Sequence, residues 1–244
     1  FAALSLRATV ESRVVVGTER ERELREWRGM ANDSIFAVFG NQLWQQGDKL
    51  VVGSMLAMSE AGVYAAAWRV AAVILIGVQS ATAIIGPNVA EALGKGDRRS
   101  AYSVVDVATG VAVIWAGLAT LFLIFWGDTA LALFGAGFAA GRHVVTVLAC
   151  MFLVAALFGP GNLVLAMGGH QKEVARITFA CAGAAIIAAC VLVPLFGLLG
   201  ASLAFGAATI ARGAMLASAA SRLLGIELNI VSAIARKMRT LGAR

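Results

Sequence analysis

From residue 35 to residue 222 the chain divides into apolar stretches of about twenty residues, and no other feature restricts its fold as strongly. A helix needs about 20 mostly apolar residues to cross the hydrocarbon core of a bilayer. Six such segments can be drawn, at residues 35–58, 62–85, 103–126, 144–167, 177–196 and 199–222. Lipid offers no partner for a backbone N–H or C=O, so each crossing segment must satisfy its own, and a helix does so. Composition agrees with this reading. Hydrophobic residues make up 60% of the chain and charged residues 14%, against about half and a quarter in soluble domains. The mean hydropathy is +0.84. The expected fold class is an all-α membrane protein built as a six-helix transmembrane bundle.

The charges then set an orientation. Residues 1–34 form a polar stretch containing TERERELREWRG, which reads as a charged cytoplasmic linker. With that linker inside, sixteen of the 20 Lys and Arg residues fall on inside segments, and Arg142 alone falls on an outside loop. Cytoplasmic loops carry such an excess of basic residues, so both termini are expected in the cytoplasm. The formal charge of +6 therefore reads as membrane topology, with no nucleic-acid partner expected. At residues 226–244, Ile226, Ile230, Ile234 and Met238 recur every four positions beside Arg236, Lys237 and Arg239. This pattern is expected of a basic amphipathic tail lying on the membrane surface. Gly, Ala and Ser crowd the apolar segments, where small residues let helices approach closely. Cys150, Cys181 and Cys190 sit in apolar runs and are expected to be small core residues. The chain begins at Phe1 and is expected to be a fragment of a longer protein.

Charge inside a span is costly, roughly 2.5–3.5 kcal/mol near the bilayer centre, and marks a functional candidate. With a turn at Met58–Ser59, Asp48 and Arg69 lie about ten residues to either side. At 1.5 Å per residue each sits roughly 15 Å from the outer end, close enough in depth to pair. Such a pair would either belong to a site or simply lock the hairpin. Arg212 is also near mid-depth. Gln42, Gln45, Gln46 and Lys49 recur at i, i+3, i+4, i+7 and so share one helix face, which Asn41 and Asp48 widen. A polar face this broad must look into the bundle or a watery cavity. Lys49, Arg69 and Arg212 outweigh Asp48, and a cavity of that sign suits an anionic ligand such as a phosphate or pyrophosphate. Pro87 and Pro160 interrupt apolar segments and are candidate hinges. His143 and His170 fall at expected helix ends. Glu91 and Asp106 flank the basic loop GKGDRR and are expected to pair with it. No nucleotide-binding loop, metalloprotease motif or nucleophile elbow occurs, so no catalytic residue, metal or cofactor is expected.

The run QLWQQGDKLVVGSMLAMSEAGVYAAAWRV carries a resemblance. Asp48, Gly53, Gly62, Tyr64 and Ala67 look like the seventh-and-eighth-helix signature of polysaccharide flippases. Pro87, Gly96 and Asp97 continue the match, followed by LFGAGF at 133–138, a glycine loop at 168–171 and PLFGLLGASLA at 194–204. In order and spacing the set resembles the multidrug, oligosaccharidyl-lipid and polysaccharide exporter superfamily. That resemblance implies one half of a two-bundle transporter, joined by the charged linker to an absent N-terminal six-helix half or to a second copy. It implies flipping of undecaprenyl-pyrophosphate-linked oligosaccharide across the bacterial inner membrane by alternating access. It also implies that cavity cations, here Arg69 and then Arg212 and Lys49, hold the pyrophosphate. A cation-coupled multidrug exporter of the same superfamily and a non-transporting scaffold or remnant are the competing expectations.

Overall fold

Glycine positions give the register of the bundle. In the computed structural model, which describes residues 38–95 and 98–225, seven α-helices follow one another: α1 (residues 38–55), α2 (Met58–Gly94), α3 (Arg98–Ala132), α4 (Arg142–Ala156), α5 (Gly161–Met167), α6 (Gln171–Phe196) and α7 (Leu198–Leu224). A 3₁₀ turn at Ala136–Gly141 leads into α4. No strand occurs among the described residues. The linker expected at 1–34, the tail expected at 226–244 and the Gly96–Asp97 turn lie outside the described residues. The described residues from Gly40 onward belong to one compact unit, and Val38 and Phe39 fall outside it. The packing that follows is that of this unit.

Five of the segments are long and apolar enough to cross a membrane: Met58–Ala92, Tyr102–Ala132, Gly137–Ala156, Gln171–Phe196 and Leu198–Leu224. The chain is therefore a multi-pass, all-helical membrane protein. The sixth expected span, α1, is not among the five, because Asn41, Gln42, Gln45, Gln46, Asp48 and Lys49 dilute its hydropathy.

Gly40 of α1 lies against Phe179 of α6, and Gly47 against Ile186. Both pairs of positions are seven residues apart, so α1 runs parallel to α6 and level with it. By the same reading Gly206 and Gly213 of α7 meet Met151 and Phe158, so α7 runs parallel to the α4 segment. Gly141 meets Val63, and Gly86 meets Leu163, which sets α2 parallel to α4 and α5. Helices α2, α4–α5 and α7 thus run one way, and α1, α3 and α6 the other. The main core cluster joins Val51 and Val52 of α1 to Tyr64 and Ile74 of α2, Leu148 of α4, Ala189 of α6 and Phe205 of α7.

Three expected helix limits change. The segment expected at 144–167 is broken in two, because Gly159 takes φ +70° and Pro160 has no N–H to continue the ladder. Gly86-Pro87, expected to close the second segment, does not: α2 runs on through Pro87 to Gly94. The third helix has non-helical dihedrals at Trp126 (φ −116°, ψ 15°), where its apolar segment was expected to stop, and resumes to Ala132. Of the cysteines, Cys181 is buried as expected, whereas Cys150 and Cys190 lie on exposed faces.

The two ends of the bundle differ in charge. One end carries Lys95, Lys172, Arg176 and Arg222, with Lys95 paired to Glu91 at 2.5 Å, as expected for that loop. The other carries Glu60 in the first turn of α2 and Arg142, whose charge is met by an ion pair with Asp128. His143 sits in the first turn of α4 and His170 caps α6, both at helix ends as expected.

Candidate functional site

Helices α1, α2 and α7 and the break between α4 and α5 border a partly open cavity of about 740 Å³, within the roughly 300–1,000 Å³ usual for small-molecule sites. It reaches from the level of Asp48 and Trp68 to that of Asn41, Thr82 and Ala166. It therefore spans the middle of the bundle. The break matters to its shape: the chain from Phe152 through Gly159 and Pro160 to Ala166 forms one wall.

At one end of the cavity Asp48 is 3% exposed. Its Oδ1 accepts the Lys49 backbone N–H at 2.8 Å, and the Tyr64 hydroxyl donates to its Oδ2 at 3.5 Å. Lys49 Nζ stands 3.9 Å from Oδ1. That ammonium also donates to the Gln45 carbonyl at 3.0 Å and to Gln46 Oε1 at 3.1 Å, and lies over the Trp68 ring at 4.0 Å. The Asp48 charge is thus already countered, and the Lys49 donors are already engaged.

Arg212 of α7 is in a different state. Its guanidinium lies over the Trp44 ring at 4.6 Å, and its Nε is buried with no hydrogen-bond partner. A buried donor left unpaired costs about 1–3 kcal/mol, more when charged. Cation–π contact returns about 0.5–2 kcal/mol but supplies no acceptor for the N–H. An acceptor entering the cavity would satisfy it, and an anionic oxygen would do so best, because charge-assisted bonds are the stronger kind.

The expected site residues divide. Asp48, Gln45, Arg212 and Pro160 line the cavity. Lys49 lies beside it but is folded onto its own helix. Gln42 and Gln46 lie on the exposed side of α1, Pro87 is exposed on α2, and none of these three lines the cavity. Arg69 is exposed, lines no part of the cavity wall, and forms no ion pair with Asp48. The physical reason is the turn, which falls at residues 56–57 rather than at Met58–Ser59. Tyr64 is thereby level with Asp48. Arg69 lies five residues further along α2, about 7.5 Å deeper and roughly 140° around the helix.

Sequence reasoning missed both indoles, Trp44 and Trp68, and the carboxamides of Gln79 and Asn162. Part of the signal was present. Asn41, Trp44, Gln45 and Asp48 recur at helical spacing, one step round from the stripe chosen. Trp68 is the neighbour of Arg69. Asn162 carried no signal, because only the helix break turns it to the cavity. Among the described residues no group of three His, Cys, Asp or Glu side chains is placed to hold a metal ion.

Fold and site define a multi-pass helical membrane protein with a largely apolar cavity in the bundle, into whose wall Asp48, Arg212 and a few carboxamides are set. Compared with family models, curated proteins and solved structures, the chain matches none.

Proposed function

We propose that the chain is one half of a two-bundle transporter. On this reading it moves undecaprenyl-pyrophosphate-linked oligosaccharide from the cytoplasmic to the periplasmic leaflet of the bacterial inner membrane. It does so by alternating access, for surface polysaccharide synthesis. The observation that carries this reading is the buried Nε of Arg212, left without a hydrogen-bond partner in the wall of a 740 Å³ cavity. A helical bundle that bound nothing would have no use for a cation with an unmet donor inside a span.

Three further points support it. The α1 helix runs level with α6, one of the five apolar spans, which supports reading it as a sixth crossing despite its polarity. Its described residues, 38–55, reach about 27 Å, close to the core thickness. The basic end of the bundle is the cytoplasmic end by the charge rule. The cavity spans the middle of the bundle, the depth at which transporter sites are built. The absent six-helix half, or a second copy, completes the path on the other side. An organic-cation exporter would want an acid free to meet its cargo. Asp48 is already met by Lys49 and Tyr64.

Arg212→Ala should leave insertion intact, abolish surface polysaccharide and make lipid-linked sugar precursors accumulate. Normal surface polysaccharide with Arg212→Ala would overturn the assignment.

A further inference from the structure

The spacing of charges along α2 and α3 fixes where Arg69 stands in the membrane. On α2, 21 uncharged residues, 70–90, separate Arg69 from Glu91, and on α3 another 21, 107–127, separate Asp106 from Asp128. At 1.5 Å per residue each run is about 31 Å long, the thickness of the hydrocarbon core. Glu91 and Asp106 mark the core edge nearer the basic, cytoplasmic end, and Arg69 and Asp128 mark the outer edge. Asp128 is met there by Arg142. Arg69 is exposed and has no hydrogen bond or ion pair among the described residues. A charge at that depth without a partner is costly, so its partner comes from outside the bundle.

Val73, Ile76 and Ser80 follow Arg69 at i+4, i+7 and i+11 and share its face of α2. Val73 is 45% exposed and Ile76 63%. The face thus carries a guanidinium at the core edge and a mainly apolar strip that runs roughly 16 Å inward from it. A phospholipid has the same order of groups, a phosphate oxyanion above an acyl chain. A guanidinium presents a planar fork of donors that fits two phosphate oxygens at once, and its stem lets it reach from the core edge to headgroup level. We propose that this face of α2 seats a resident anionic phospholipid of the outer leaflet: Arg69 holds its phosphate, and Val73 and Ile76 line one acyl chain. Phosphatidylglycerol fits the seat better than phosphatidylethanolamine, whose own ammonium competes for the phosphate. Ile76 also borders the open cavity, whereas Arg69 and Val73 lie outside it. The seat rests on the membrane reading of the chain and is independent of what the bundle transports.

The test uses the full chain in nanodiscs of equal phosphatidylglycerol and phosphatidylethanolamine, with no lipid-linked sugar present, and counts the lipids it retains by native mass spectrometry. The unaltered chain should retain phosphatidylglycerol about fivefold over phosphatidylethanolamine, as a charge-assisted contact warrants. Arg69→Gln should remove that preference. Arg69→Lys keeps the charge but loses the fork, so it should fall between the two and tests the seat even where Arg69→Gln disturbs folding. Arg222→Gln, at the opposite end of the bundle, should leave the preference intact. Equal retention of the two lipids by the unaltered chain would overturn the seat. So would a preference that survives Arg69→Gln. A preference lost with Arg222→Gln and kept with Arg69→Gln would also overturn it, placing the lipid in the inner leaflet.

Discussion

Arg212 and Lys49 show how two cations of one bundle are assigned different work. The Lys49 ammonium is spent on the Gln45 carbonyl, Gln46 Oε1, Asp48 and Trp68. Arg212 keeps a buried N–H with no acceptor. Substitutions should therefore separate them. Arg212→Lys retains the charge but loses both the Nε donor and the planar stack on Trp44, so it should restore transport only in part. Export assays of this variant beside Arg212→Ala check the order. Equal activity of Arg212→Lys and the unaltered chain would show that charge alone suffices. The Tyr64 hydroxyl makes only a 3.5 Å contact with Asp48, whereas its ring is fully buried. Tyr64→Phe should cost under about 1 kcal/mol, but Tyr64→Ala about 3–5 kcal/mol. For a chain of this size the latter is a fall of about 6–20 °C in Tm, measurable by thermal unfolding in detergent.

At the scale of helices, close approach is purchased with glycine. A Cβ at Gly200 would stand 2.1 Å from the Leu192 carbonyl oxygen, and one at Gly77 would stand 1.9 Å from Trp115 Nε1. The nearer contact is the cheaper one to relieve. Trp115 is a half-exposed side chain that can swing away, whereas Leu192 presents the backbone of α6 across a one-residue turn at Gly197 (φ +57°). Gly200→Ala should therefore destabilise the α6–α7 hairpin by at least the 1–3 kcal/mol typical of overpacking. Gly77→Ala should cost less, and the ranking can be read from apparent Tm values. The helices themselves were legible because apolar segments of about twenty residues admit no other structure in lipid. The break at Gly159–Pro160 was visible as a motif, but its consequence was not: it turns Asn162 and the Phe158 region into a cavity wall. The misplaced Arg69–Asp48 pair arose from a two-residue error in the turn, enough to rotate a helix face. Trp44 and Trp68 were passed over because aromatic residues in apolar segments read as core until their neighbours are seen.

For the whole molecule, α1 decides the topology. Five crossings place the two ends of the bundle on opposite sides of the membrane, and six place them on the same side. Its register against α6 favours six, so a reporter fused after Leu224 should signal from the cytoplasm, as should one fused ahead of α1. Opposite signals would remove α1 from the membrane. Transport should also feel the membrane potential. Moving a negative head group outward is favoured by an inside-negative potential, by about 2.3 kcal/mol per charge per 100 mV. Collapsing the potential in intact cells should slow export, and an unchanged rate would remove that driving force.

The central claim is that this bundle carries a lipid-linked sugar across the membrane through the cavity at Arg212. It is tested most directly by the leaflet position of that lipid in spheroplasts. The measurement is the fraction of lipid-linked oligosaccharide cleaved by an added glycosidase that cannot enter the cell. Cells making the unaltered chain should expose a substantial fraction. Cells depleted of the chain, or carrying Arg212→Ala, should accumulate the lipid in protected form. An exposed fraction unchanged by either alteration would contradict the account.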